Sequence, residues 1–186
     1  TLWSGEMNNL DLCRYLWYWL RLPGDRPSAN RLYNRRDIGY FKKSLFKLGS
    51  EDPEWFPRLM EPTTFGLRGW EYSLLFDRVN LKNKKILDIG PGNSRLPMYM
   101  AKKGAKVTML DMENPLEDTE NQKAKNLKFV LGDMTKMNIK SSTFDVVTCI
   151  SAIEHVDMKK NGFYTEKKYL ARALMSLKEM VRVLKP

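Results

Sequence analysis

Apolar positions recur along this chain in three distinct patterns, and each predicts a different kind of element. The first is a nearly continuous run at residues 10–22 (LDLCRYLWYWLRL), interrupted by Arg14 and Arg21 and closed by Pro23-Gly24. With Asn9 as a suitable N-cap it predicts a short helix. Its 13 residues fall short of the ~20 that a membrane-spanning helix needs. It reads as a leader helix packed on a neighbouring domain, although Tyr15, Trp17, Tyr18 and Trp19 beside arginines leave peripheral membrane contact open. The second pattern is a spacing of three to five. Phe41, Leu45 and Leu48, stopped by Gly49, predict one or two amphipathic turns, and Trp70, Leu74, Leu75 and Val79 predict a longer helix. Leu170, Leu174, Leu177, Val181 and Leu184, widened by Ala173 and Met180, predict a helix over residues 167–184 with that stripe as its core face. The third pattern is the short, strand-like apolar run, near residues 85–89, 106–110, 127–131 and 144–150.

Between the two halves, residues 50–66 carry Pro53, Pro57 and Pro62, which predicts an irregular connector because Pro fixes its own φ and disfavours helix before it. A boundary there gives a helical leader at 1–66 and an α/β unit at 67–186. Composition fits a folded chain, with 42% hydrophobic and 29% charged residues over 186 positions. The formal charge is +10, and +7 of it lies in residues 14–47, where nine Lys and Arg face Asp25 and Asp37 alone. A patch of that kind suits an anionic partner, yet no nucleic-acid motif accompanies it, and nucleic acid is not the expected partner. Cys13 and Cys149 lie far apart, so neither a disulfide framework nor a zinc pattern is present, and a reducing, cytoplasmic setting fits. A single histidine, His155, excludes a multi-histidine metal site within this chain. No signal peptide is read, and the chain begins at Thr1.

Chemistry concentrates after Lys85. A buried strand (Ile86, Leu87, Ile89) runs into the turn Gly90-Pro91-Gly92; Asn93 or Ser94 then caps a helix that tolerates Pro97 in its first turn, and Gly104 ends it. A second strand closes on Asp111, 19 residues beyond Gly92. Glycines let backbone approach a ligand, the helix start offers unpaired amides, and an acid at the second strand tip can accept from both hydroxyls of a ribose. This order points to an adenosine-containing cofactor. The dinucleotide fingerprint wants a third glycine where Arg95 stands. The carboxylate of Asp88 before the loop would serve an ammonium group instead, and S-adenosyl-L-methionine carries one.

At these residues the chain resembles class I S-adenosylmethionine-dependent methyltransferases, in particular the methyltransferase type 11 group. The resemblance spans residues 84–186 and rests on ILDIGPG (86–92), Asp111, LGDM (131–134), FDVVTCISAIEHV (144–156) and EMVRVLKP (179–186). It implies a Rossmann-like three-layer α/β sandwich with a mostly parallel sheet, of which the strand order 3-2-1-4 is present and strands 5 to 7 are missing. The chain is accordingly expected to be a fragment. The resemblance further implies that Asp88, Gly90, Pro91 and Gly92 surround the methionine moiety, with Pro91 departing from the commoner small residue or Cys. By the same likeness Asp111 binds the ribose, Met112 packs on the adenine, Asp133 accepts the adenine amino group, Met134 flanks the ring and Ser151 approaches the methionine part.

The expected activity is methyl transfer to an O, N or C nucleophile of a small-molecule, lipid-linked or sugar-containing acceptor, anionic on the strength of the basic leader. Trp55, Phe56, Arg68 and Trp70 are the leader residues nearest the site in sequence. His155 and Glu154 are the candidates for moving a proton, imidazole being the side chain suited to that near neutrality. Asp145, at the entry of the fourth strand, is expected to be structural. Two rival readings stand beside this one. Asn93-Ser94-Arg95-Leu96 resembles the start of some elongation-factor lysine methyltransferases, which would make the acceptor a protein, and a non-catalytic Rossmann-like module would bind nucleotide or RNA.

Overall fold

A computed structural model describes residues 35–60, 65–114, 126–156, 158–159, 162–163 and 166–186. The apolar run at 10–22 and the basic residues up to Arg31 lie outside the described residues. Internal contacts divide the chain into two compact units, Thr1–Asn80 and Leu81–Pro186, whereas the proline pattern had suggested 66/67.

The first unit holds helices α1 (Arg35–Glu51), α2 (Trp55–Met60) and α3 (Phe65–Arg78), with α1 and α2 both packed on α3. Helix α1 is longer than its three apolar positions suggest and runs through Gly49. A helical glycine costs about 1 kcal/mol, which burial of Leu45 and Leu48 more than offsets. Lys47 reaches Asp77 of α3 at 3.2 Å. The connector is also less irregular than expected, because Pro57 falls in the first turn of α2, where its missing N–H has no partner to lose. Phe56, Leu59 and Met60 are buried there, and Arg68 pairs with Glu71 at 2.6 Å.

In the second unit the order is β1 (Lys85–Ile89), α4 (Leu96–Lys102), β2 (Lys106–Asp111), β3 (Leu127–Leu131), β4 (Val146–Thr148), a 3-10 turn (Ile153–His155), a two-residue hairpin β5 (Met158–Lys159) and β6 (Gly162–Phe163), and α5 (Glu166–Val183). The hairpin leaves no apolar signature in the sequence. Four strands form one parallel sheet in the order β3-β2-β1-β4. Strand β4 is shorter than the expected 144–150. Phe144 bridges to Leu184, and the Asp145 carboxylate accepts the Lys85 amide at 2.8 Å and Lys185 Nζ at 2.6 Å. Asp145 is structural, as expected, and ties strand entry to the chain after α5.

Alternation along β1 sends Leu87 and Ile89 to one face, where they form a core with Leu110, Met137, Phe144 and Val183, while Ile86 and Asp88 face the other. Helix α4 packs on β2 and β3 and buries Leu96, Tyr99 and Met100. Helix α5 does not use the face its leucine stripe suggested. Val183 is fully buried and Ser176 with it, but Leu174 is 57% and Val181 73% exposed, with Leu170 and Leu177 also exposed. The more buried side of α5 is the mixed stripe of Arg172, Ser176, Glu179, Met180 and Val183, which recur with the helical period. Periodicity identified the helix and an apolar row on it, but the row that meets the sheet is the neighbouring one.

Candidate functional site

At the carboxyl ends of β1, β2 and β3 the chain leaves the sheet in three successive loops, the place where parallel α/β sheets form ligand crevices. The cavity there is about 460 Å³, within the range of small-molecule sites. Its lining includes Gly90, Gly92, Asp111, Met112, Asp133, Met134, Ser151 and His155, all singled out in the sequence, together with Leu110, Gly132, Ala152, Val156 and Arg172.

The floor is built by backbone that only glycine accommodates easily. Gly90 has φ +64°, and a Cβ there would come within 2.5 Å of the Ala152 Cβ, so the loop after β1 and the chain after β4 touch through a missing side chain. Gly92, at φ +50°, faces open space and donates its amide to Asp111 Oδ2 at 3.1 Å. Oδ1 of the same acid accepts the Met112 amide at 2.7 Å. A carboxylate offers about four acceptor positions, so the two amides orient Asp111 and leave it able to accept two further donors from the cavity. Ser151, a non-glycine residue at φ +48°, turns the chain sharply where β4 ends and brings Ala152 over Gly90.

The second acid is held differently. Asp133 Oδ1 accepts the Thr135 amide and the Thr135 hydroxyl, each at 2.8 Å, and Oδ2 meets Arg172 at 3.1 Å. Partial burial alone would lift the Asp133 carboxyl. The Thr135 donors and the Arg172 guanidinium outweigh it and hold the group below the usual carboxylate range, so it is an anion at neutral pH.

Asp88, Pro91 and Glu154 are not brought to the cavity lining. Asp88 is buried on the sheet face opposite Leu87, where its register partner Thr148 donates a 2.6 Å hydrogen bond to Oδ1. Burial pushes its carboxyl up to about 7, with the Thr148 bond opposing and the negative charge of Asp111 adding to the rise. Asp88 stands in β1 just before the glycine turn, and one residue of alternation decides which face it takes. Cys149, half-buried beside it, is pushed up to about 11 by burial and by the Asp88 charge, which leaves it a thiol and not a nucleophile at neutral pH. Glu154 is exposed at the 3-10 turn. Arg172 was not foreseen: it lies 39 residues from Asp133, in a helix whose visible signal is its apolar rows. Among the described residues no cluster of His, Cys, Asp or Glu could hold a metal ion, and no helix is long and apolar enough to cross a membrane.

The residues present suit an adenosine cofactor. Two acids stand at the tips of adjacent parallel strands, a glycine floor admits close approach, and the cavity has the volume for such a molecule.

Comparison with known proteins agrees. The model of a family described as a methyltransferase domain matches residues 87–186. The ubiquinone biosynthesis O-methyltransferase of Coxiella burnetii is 34% identical over 83 residues, covering 42% of this chain and 36% of that protein. Its counterpart in Vibrio parahaemolyticus is 40% identical over 83 residues, covering 41% and 34%. The chain thus spans about a third of the length of the curated relatives it matches. Among solved structures, the cyclase SpnF aligns with a TM-score of 0.51 at 15% identity, over 67% of this chain and 44% of that one, which is a likeness of fold. With the match running from the middle of β1 through α5 to Pro186, the chain belongs to the methyltransferase domain family, a Rossmann-like fold whose cofactor is S-adenosyl-L-methionine.

Proposed function

We propose that this protein transfers a methyl group from S-adenosyl-L-methionine to a nucleophile of a small-molecule acceptor. The observation that carries the reading is the pairing of a glycine floor with two ionisable acids, Asp111 and Asp133, on adjacent strand tips around one cavity. When bound, the cofactor supplies an activated methyl group whose leaving group is neutral. The protein's task is then mainly to hold and align, and a base is needed only where the acceptor is protonated. In this reading Asp111 accepts the two ribose hydroxyls, Met112 and Met134 flank the adenine, Asp133 accepts its amino group, and Gly90, Gly92 and Ser151 surround the methionine end. Asp88 and Pro91 flank the glycine floor without lining the cavity. In the same reading His155, which lines the cavity, is the candidate for taking a proton from the acceptor, and Glu154 beside it lies outside the lining.

An oxygen nucleophile on a small molecule is favoured by the similarity to ubiquinone biosynthesis O-methyltransferases. The basic leader supports an anionic or lipid-linked acceptor. Ser94, part of the four-residue likeness to protein lysine methyltransferases, has a local role here, since its hydroxyl accepts the Leu96 amide at the start of α4. A fold alone does not specify a reaction. The deciding measurement is calorimetric titration with S-adenosylmethionine, S-adenosylhomocysteine and NAD: the two sulfur compounds should bind and NAD should not, and tight binding of NAD alone would overturn the reading. Asp111→Ala should weaken S-adenosylhomocysteine binding by about 1–3 kcal/mol. Unchanged affinity would remove Asp111 from the site. For the acceptor, neutralising Arg31, Arg35 and Arg36 together should raise KM for an anionic substrate.

A further inference from the structure

Arg172 is the only Lys or Arg among the cavity's lining residues, and it arrives from an element outside the glycine-loop motif. Its two ends do different things. Nη2 meets Asp133 Oδ2 at 3.1 Å, and Nε donates to the Val156 carbonyl at 3.3 Å. The guanidinium therefore ties the loop after β3 to the turn after β4, two walls of the same cavity that contribute Met134 on one side and Ala152 and His155 on the other. The helix beneath is itself fixed, with Glu179 accepting the Met137 amide at 2.7 Å and Arg182 donating to the Met137 and Ile139 carbonyls.

The acceptor positions of Asp133 can be followed atom by atom. Oδ1 is filled by the two Thr135 donors, and Oδ2 gives one of its two lone pairs to Arg172. One lone pair on Oδ2 remains, and an aminopurine edge offers one N–H there. A planar, rigid donor on the neighbouring lone pair fixes where that remaining acceptor points, which a flexible ammonium does less well.

We infer that Arg172 is a positioning residue for cofactor specificity: by holding Asp133 Oδ2 from α5, it aims the remaining lone pair at the exocyclic amine of the adenine and so sets the preference for a 6-amino over a 6-oxo purine. The inference rests on the proposed role of Asp133 and adds to it the residue that makes the acid selective.

The test compares affinities for S-adenosylhomocysteine and its deaminated analogue, S-inosylhomocysteine, in the full chain. Wild-type protein should prefer the adenosine compound by about tenfold or more, the scale of a hydrogen bond to a charged group. Asp133→Asn should abolish that preference. Arg172→Met should bring the ratio to within about threefold, while Arg172→Lys restores only part of it. Circular dichroism and thermal melting identify variants that fail to fold, and where Arg172→Met is one of them Arg172→Gln replaces it as the neutral variant. If wild type shows a preference that Asp133→Asn removes but folded Arg172→Met and Arg172→Gln retain, the role of Arg172 is refuted and that of Asp133 stands. If wild type shows no preference, the reading of Asp133 falls, and the inference with it.

Discussion

Asp88 near the end of β1 and Gly90 in the turn just beyond it respond to different perturbations. A carboxyl lifted from 3.8 to about 7 in the folded chain binds its proton more tightly there than when unfolded. Its contribution to stability is thus complete below pH 3.8, diminishes as pH rises towards 7, and is gone above. Asp88→Asn, which keeps an acceptor for Thr148, should flatten the pH dependence of the urea midpoint between pH 4 and 7. An unaltered slope would show that Asp88 is not the titrating group. Gly90→Ala should cost about 1–3 kcal/mol of stability, since the new methyl both occupies a strained φ and collides with Ala152; Gly92→Ala, facing open space at a similar φ, should cost less. The residues legible from sequence are those whose role is tied to backbone order, namely the glycines and the acids at strand tips. Those that escaped depend on quantities sequence does not carry. The face taken by Asp88 follows from register, and Arg172 becomes visible only once α5 is laid beside the loop after β3.

Among the elements, α5 carries the sharpest contrast between pattern and packing. All four strands and the helix after the glycine turn were legible, because short apolar runs bounded by Gly and Asp admit few other readings. The leucine row of α5 was legible as helical but misassigned, since an amphipathic period says nothing about which of two adjacent rows meets the sheet. Val181→Lys should accordingly leave the unfolding free energy from urea titration within about 0.5 kcal/mol of wild type, whereas Val183→Asp should prevent folding or cost more than about 3 kcal/mol. Comparable losses at both positions would restore the leucine row as a core face. Arg182 joins α5 to the loop carrying Asp133 through Glu179 and two carbonyls. Arg182→Ala should lower the thermal midpoint and speed amide exchange in residues 132–140, more than an equal loss of charge at exposed Lys178 does.

At the scale of the whole second unit, strand order β3-β2-β1-β4 separates neighbours in space by very different distances along the chain. Strands β1, β2 and β3 follow one another directly in sequence, and each pairs with the next. Strand β4 returns past both to the free side of β1, so that the Lys85 amide finds Asp145 60 residues away. Closing the longer loop carries the larger entropic cost, and contacts of greater sequence separation form more slowly. The three sequential strands are therefore expected to assemble first and β4 with α5 last. Ser151, Ala152, His155 and Arg172 all belong to that late part, and they form one wall of the cavity. The binding site exists only once the final strand has docked, and a ligand has nothing to grip in the transition state that precedes it. Saturating S-adenosylhomocysteine should thus slow unfolding while leaving the refolding rate nearly unchanged. In kinetic terms, the topology makes the cofactor a brake on opening and not a template for folding.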